Sequence, residues 1–167
     1  MPGIGNLSKG AMAGRETKLY YDSVVGSYSD PPTEDAVWVE IARGRNVQFN
    51  RPRTLPSVEM HGVEDSGSIP GYRSKSGSFE YVRRRGVDAV YNYLKAQADA
   101  GNPVFLRLMD GDIATSGMTG SEGPFYLGDF NEVRNGSDPV VVNITFSHAD
   151  VVDHNGDRVE HADVVIA

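Results

Sequence analysis

The four histidines are the first candidates for chemistry in this chain of 167 residues. His61 stands close to Glu64 and Asp65 in the segment HGVED. On a strand, His61 and Asp65 would share one face, where they could hold a metal ion or act as an acid–base pair. Because Gly62 interrupts this segment and its composition is that of a loop, we do not predict a metal site there. An enzyme that uses His61 and Asp65 stays open as an alternative.

The segment DHNGD places His154 beside an Asn-Gly turn, and His161 follows that turn. It lacks the alternating oxygen ligands and the closing glutamate of a calcium loop, and it is typical of a polar hairpin tip. The chain has no cysteine, and it contains no nucleophile elbow, phosphate loop or dinucleotide-binding motif. The sequence therefore predicts a protein that is not an enzyme and uses no cofactor or metal.

Arginines form two clusters, one at Arg83–Arg85 and the other at Arg43, Arg45, Arg51 and Arg53. A nucleic-acid surface would place aromatic rings among these charges for base stacking. We favour contacts to solvent or to carboxylates of a neighbouring copy. Residues 1–109 contain 14 Lys and Arg against 12 Asp and Glu, whereas residues 110–167 contain 2 against 11. The acidic third is either a solvated face or the complement of a basic end on another copy.

The elements that must position these side chains are mostly strands, because short apolar and β-branched runs alternate with turn residues. One helix is predicted over residues 87–100, and Gly101 and Pro103 end it. Its apolar stripe, at helical spacing, consists of Val87, Val90, Tyr91, Leu94 and Ala98. The predicted strands are 17–25, 36–42, 45–49, 57–60, 78–84, 103–109, 124–133 and 139–152.

The remaining segments are rich in glycine, proline and serine. Residues 1–16 are predicted to form a flexible arm, residues 50–77 a long loop, and residues 152–167 a C-terminal hairpin or tail. No segment approaches the roughly 20 apolar residues of a membrane span, and the first residues lack the apolar core of a signal peptide. We therefore expect a single domain over residues 1–167, mainly β, built as an antiparallel β-barrel or sandwich with one helix packed on its outer side.

The order of elements between Val37 and Val151 carries a family resemblance. A strand with Trp38 precedes a long loop with Glu64, Asp65 and Ser66, and the segment KSGSF then leads into a strand and the helix. The segments VFLRLMDGD, FYLGDFNEV and VVVNITFSHADV follow. This pattern resembles the major tail tube protein of long-tailed, lambda-like bacteriophages, a family structurally akin to the tube protein of type VI secretion.

The resemblance implies a virion protein of the tail that is assembled in the host cytoplasm. Copies would form hexameric rings that stack into a tube, and its partners would be the tape-measure, tail terminator and distal tail proteins. Genomic DNA would pass through an acidic lumen without specific binding, and no membrane would be involved. The long loop would contact the next ring through Arg51, Arg53, Glu64, Asp65, Tyr72, Arg73 and Lys75. A soluble β-sandwich that binds a ligand or carbohydrate through a concave aromatic patch is the alternative.

Overall fold

The computed structural model describes residues 17–24, 37–51, 57–58, 67–68, 74–136, 138–152 and 156–167. This part of the chain is mainly β with a single helix, as the sequence predicted. The strands are β1 Lys18–Asp22, β2 Trp38–Glu40, β3 Gly44–Asn50, β4 Ser57–Val58, β5 Gly67–Ser68, β6 Ser76–Val82, β7 Val104–Met109, β8 Thr119–Val133, β9 Val141–His148 and β10 Ala162–Val165, and the helix α1 is Ala89–Ala100.

Seven of the strands follow one another in the antiparallel order β2-β1-β7-β8-β9-β6-β3. Strand β10 also pairs with β8, at residues Thr119–Glu122. No pairing among the described strands joins β2 to β3, so the sheet is not closed and the fold is sandwich-like. Strand β8 belongs to both halves: its first half lies beside β7 and its second half beside β9. A bulge between Gly128 and Asn131 shifts the register of β8 against β9.

The alternation of side chains along the strands places one apolar face of each half in a shared interior. In β6, Phe79 and Tyr81 are buried, whereas Ser78 and Glu80, which point to the opposite face, are only half-buried. In β9, Val142, Ile144 and Phe146 are buried in the same way. The core also contains Leu19, Tyr21, Ile41, Val104, Leu106, Phe125 and Leu127.

Helix α1 completes this core through its apolar face. Tyr91 and Leu94 are buried in the core cluster, and Val90 and Ala98 pack against it while partly exposed. Val87 is 84% exposed and lies before the helix. Its assignment to the packing face was wrong because the helix begins only after Asp88, which has extended backbone dihedrals and is the N-cap. Gly101 ends the helix in the left-handed conformation.

Asp88 ties the helix to the sheet. Its carboxylate accepts hydrogen bonds from the Tyr81 hydroxyl at 2.7 Å, the Arg84 N–H at 2.9 Å and the Tyr91 N–H at 3.2 Å. Burial raises the pKa of Asp88, but these three hydrogen bonds outweigh burial and hold the pKa below its ordinary value of 3.8. The negative charge is therefore the form that the folded protein stabilises.

Asp88→Ala is expected to lower the free energy of unfolding at pH 7 by about 2–4 kcal/mol, since the helix loses its cap and a buried hydroxyl loses its acceptor. The depressed pKa gives stability that is present above the unfolded-state pKa and lost as pH falls through the folded-state value. Asp88→Asn, which removes only the charge, tests this. The difference in the free energy of unfolding between wild type and Asp88→Asn should shrink below about pH 4. Urea unfolding from pH 3 to 7 measures this, and a difference that does not change with pH would contradict it.

Several strand ends differ from those predicted. Strand β8 begins at Thr119, inside a segment that was predicted to be a loop because TGSEG is poor in β-formers. The segment is a strand because β7 and β10 pair with it on either side. Its glycines are needed there, since a Cβ at Gly120 would meet the Leu108 carbonyl and Met109, and a Cβ at Gly123 would meet the His161 ring. Asn50, Ser76 and Gly77 lie in strands, so the long connection is 51–75, with β4 paired to β5 inside it. In the predicted tail, β10 joins the main sheet.

Candidate functional site

The outer face of the half formed by β3, β6, β9 and the second half of β8 is polar. Its side chains line up in rows across the four strands. One row is Asn50–Ser76–Ser147–Tyr126, the next is Gln48–Ser78–Thr145–Gly128, and the third is Arg45–Glu80–Asn143–Asn131. Hydroxyl and amide groups therefore dominate this surface, which we call the polar face.

Few charges lie on the polar face. Arg45 and Glu80 form an ion pair at 2.9 Å, and the Asn46 side-chain amide donates to the same carboxylate at 2.9 Å. Asp129, in the bulge of β8, accepts a hydrogen bond from the Thr145 hydroxyl at 3.3 Å. Arg45 and Glu80 neutralise each other, and Asp129 leaves one negative charge on the described part of this face.

Both edges of this half are unpaired among the described strands. Strand β3 pairs with β6 alone, and the pairing of β7 with β8 stops at Phe125, which leaves the second edge of Tyr126–Val133 without a strand. Such edges present rows of N–H and C=O groups that can pair with another chain. The half therefore offers two complementary edges for joining copies of the sheet.

The outer face of the other half differs in character. Arg107 and Glu122 form an ion pair at 2.6 Å with side chains only 13% and 16% exposed, and the Arg107 guanidinium stacks on Trp38 at 4.2 Å. Lys18 bridges Asp112 at 2.8 Å and Glu40 at 3.3 Å. The hydrogen bond to Asp112 raises the pKa of Lys18, and the same bond lowers the pKa of Asp112. These charges are satisfied within the chain.

The predicted stacking residues are placed only in part. Arg51 lies 3.6 Å from Asp163 and over the Phe49 ring at 5.0 Å, and the Lys75 carbonyl accepts a hydrogen bond from the His148 N–H. Both residues lie at the mouth of the long connection, where Arg51 meets a carboxylate of its own chain. The contact of this group with another ring remains a prediction. The residues of the group that lie outside the described part of the chain are Arg53, Glu64, Asp65, Tyr72 and Arg73; His61 lies there too.

A pair of histidines fixes the C-terminal segment to the sheet beside Arg51. His148 Nδ1 and His161 Nε2 are in direct contact, and the His161 ring packs edge-on against Phe125. Burial lowers the pKa of both, that of His161 to about 3, so both rings are neutral at pH 7 and one donates to the other. This pair could not be predicted from the sequence, because the pairing of β10 with β8 brings the two residues together.

Two other classes of site find no support in the described residues. No group of three or more His, Asp or Glu side chains there is arranged to hold a metal ion. Tyr126, on the polar face, is the one large aromatic side chain among those classed as exposed there, so no aromatic patch for a carbohydrate is formed within that part. The described helix is too short to cross a membrane.

No protein-family model and no curated protein matches this sequence. Solved structures do match. The tail of an empty gene transfer agent particle, refined with C6 symmetry, matches with a TM-score of 0.64 at 14% identity, over 94% of this chain and 100% of that one. The SPP1 tail tube matches with a TM-score of 0.65 at 13% identity, over 93% of this chain and 80% of that one. The chain shares a tail-tube fold.

The same fold extends to a contractile system. The sheath–tube complex of an extracellular contractile injection system, PVC, matches with a TM-score of 0.59 at 10% identity, over 93% of this chain and 94% of that one. The resemblance that the order of elements indicated is thus confirmed at the level of the fold. The matches span nearly the whole chain, which includes the polar face and both of its edges.

Proposed function

We propose that this chain is the structural subunit of a tail tube. The observation that carries the proposal is the tail-tube fold with a polar outer face bounded by two unpaired strand edges. Copies join in rings, and the rings stack head to tail into a hollow tube. The C6 symmetry of the gene transfer agent tail supports six copies in each ring.

Within a ring, the edge of β3 in one copy pairs with the second half of β8 in its neighbour. Both edges belong to the same half of the sandwich, so pairing them extends one sheet from copy to copy. Repetition by rotation closes that sheet into a barrel without edges. Main-chain hydrogen bonds then satisfy the groups that each free subunit exposes.

The polar face lines the channel, and the apolar face of the same strands is covered by the core and helix α1. A passing nucleic acid presents one negative charge for about every 1.7 Å of duplex. Lysines or arginines along the wall would bind it and release counterions, which would hinder sliding. Hydroxyl and amide groups keep the wall wet without this attraction. The described part of the polar face contains Arg45 against Glu80 and Asp129, so the lumen in this proposal is weakly acidic, in the direction that was expected.

This role would place the protein in the virion tail after assembly in the host cytoplasm. DNA would pass along the lumen without specific binding. Its partners would be further copies of itself, a tape-measure protein inside the tube, and terminator and distal proteins at the two ends. The similarity to tails and to a sheath–tube complex supports this setting.

Purified protein is expected to polymerise with rising concentration. Sedimentation velocity should show a subunit, a ring of about six copies and long polymers, since head-to-tail contacts do not close. A variant with Glu132→Pro removes a backbone N–H from the free edge of β8 and tests that edge, because Glu132 and Val142 face each other without exchanging main-chain hydrogen bonds. It should remain folded by circular dichroism and stay monomeric. Wild type that stays monomeric at every concentration would favour the ligand-binding sandwich instead.

A further inference from the structure

A surface pocket that the tube-wall role does not use lies at one end of the sandwich. It has a volume of about 680 Å³ and lies where β6 ends and the β8–β9 hairpin turns. Five arginines line it: Arg43, Arg83, Arg84, Arg85 and Arg134. The acidic residues in its wall are Glu132 and Asp138. We call this site the arginine pocket.

Part of the positive charge in the arginine pocket is satisfied by the chain itself. Glu132 accepts from Arg83 at 2.9 Å and from Arg134 at 3.1 Å. The Arg83 guanidinium also lies over the Tyr91 ring at 4.4 Å, and its buried Nε has no hydrogen-bond partner. Arg43, Arg84 and Arg85 form no ion pair with any described residue. The guanidinium groups of these three arginines are therefore available to bind an anionic group from another molecule.

The opposite end of the same strands has an excess of carboxylates. The register places Val82, Val141 and Val133 at the pocket end and Ser76, Ser147 and Tyr126 at the other, about 20 Å away at about 3.3 Å per residue. The cations near that far end are Lys18, Arg51, Lys75 and Arg158. The carboxylates at that end, which we call the acidic end, are Asp110, Asp112, Asp150, Asp157, Glu160 and Asp163. Three of them form ion pairs within the chain, Asp112 with Lys18, Asp150 with Arg158 and Asp163 with Arg51, so six carboxylates stand against four cations and the net charge is negative.

We propose that the arginine pocket receives carboxylates from the acidic end of a second copy of this chain in the adjacent ring. The inference rests on the proposed tube and adds the contact that gives stacking its direction. Arginine forks bind carboxylates in two-point geometry, which fixes the rotation of one ring on the next. The two ends attract each other and repel their own kind, so rings add head to tail.

The composition of the arginine pocket favours a protein partner over a nucleic acid. Glu132 already shows carboxylate binding between two of its arginines. Among the described residues of the pocket no exposed aromatic ring is available for base stacking, because Tyr91 lies buried beneath Arg83. The chain itself supplies the matching carboxylates at a fixed distance.

Charge reversal at the exposed pair Arg84→Glu with Arg85→Glu tests the contact. We expect rings of normal size and normal thermal unfolding, with elongation slowed at least tenfold in light scattering. The control, Lys95→Glu with Asn92→Glu on the exposed side of α1, should elongate like wild type. If the wild-type protein forms no rings, the proposed tube is refuted. If the double variant Arg84→Glu with Arg85→Glu, which we call the pocket variant, elongates normally, only the pocket contact is refuted.

A complementary variant makes the test specific. Asp150→Arg with Glu160→Arg reverses the acidic end, and this protein alone should also form rings that do not elongate. Mixing these rings with the pocket variant should restore tubes, because opposite charges then meet at every junction of alternating rings. Failure of the mixture to elongate, or loss of duplex DNA binding as the sole defect of the pocket variant, would overturn the proposal.

Discussion

Leu94→Ala is expected to lower the free energy of unfolding by about 3–5 kcal/mol. Leu94 has no exposed surface and is the residue of α1 most deeply set in the core between the two halves. Removing its side chain loses the transfer free energy of the deleted atoms and leaves a cavity that the rigid strands around it cannot fill. The unfolded fraction should rise, and polymerisation should require a higher protein concentration.

Lys95→Ala is the matched control, since Lys95 is the exposed neighbour on the same helix. It should change the free energy of unfolding by no more than about 0.5 kcal/mol. Urea denaturation of both variants measures the difference between them. Equal effects would show that α1 does not cover the core.

The double substitution Ser147→Lys with Gln48→Lys is expected to convert a tube that does not bind DNA into one that binds it. Both side chains are exposed on the polar face, on β9 and β3. If that face lines the channel, the two new lysines of every copy in a ring surround the duplex with positive charge. With about six to ten phosphates contacted, binding should fall by roughly 10³–10⁵ between 50 and 200 mM salt. Open tubes incubated with short duplex DNA and then pelleted would show this.

Nuclease protection distinguishes the channel from the outer wall. DNA held by the channel variant should survive nuclease treatment of the tubes. The control, Ala96→Lys with Asn92→Lys on the exposed side of α1, also gains charge, but any DNA that it binds should be digested. Complete digestion in both cases would place the polar face outside the tube, and retained DNA with wild-type tubes would contradict a wall that does not bind phosphate.

Periodicity was enough to predict the helix and most strands, because burial repeats every second residue in β6 and β9 and at helical spacing in α1. It failed where a strand depends on contacts from distant segments. Thr119–Gly123 is a strand because β7 and β10 lie on either side of it, and neither partner is visible in the local sequence. Val87 was misplaced because apolar spacing continued past the cap at Asp88.

The assembly surfaces were less accessible to sequence reasoning. The polar face is composed of single residues from four strands, and only the register shows that Ser78, Thr145 and Gln48 form one row. The arginine triplet was visible, but the pocket also needs Arg43 and Arg134 from other turns. Arg43 and Arg51 were predicted to belong to one cluster, but they lie at opposite ends of the strands, and Arg43 joins Arg83–Arg85 instead.

Electron cryo-microscopy of the polymerised wild-type protein tests the tube most directly. We expect hollow filaments of stacked six-copy rings in which β3 of one copy pairs with β8 of the next. The polar face should line the central channel, and α1 should lie away from it. A monomer under all conditions, or a filament without a channel along its axis, would contradict the proposed function.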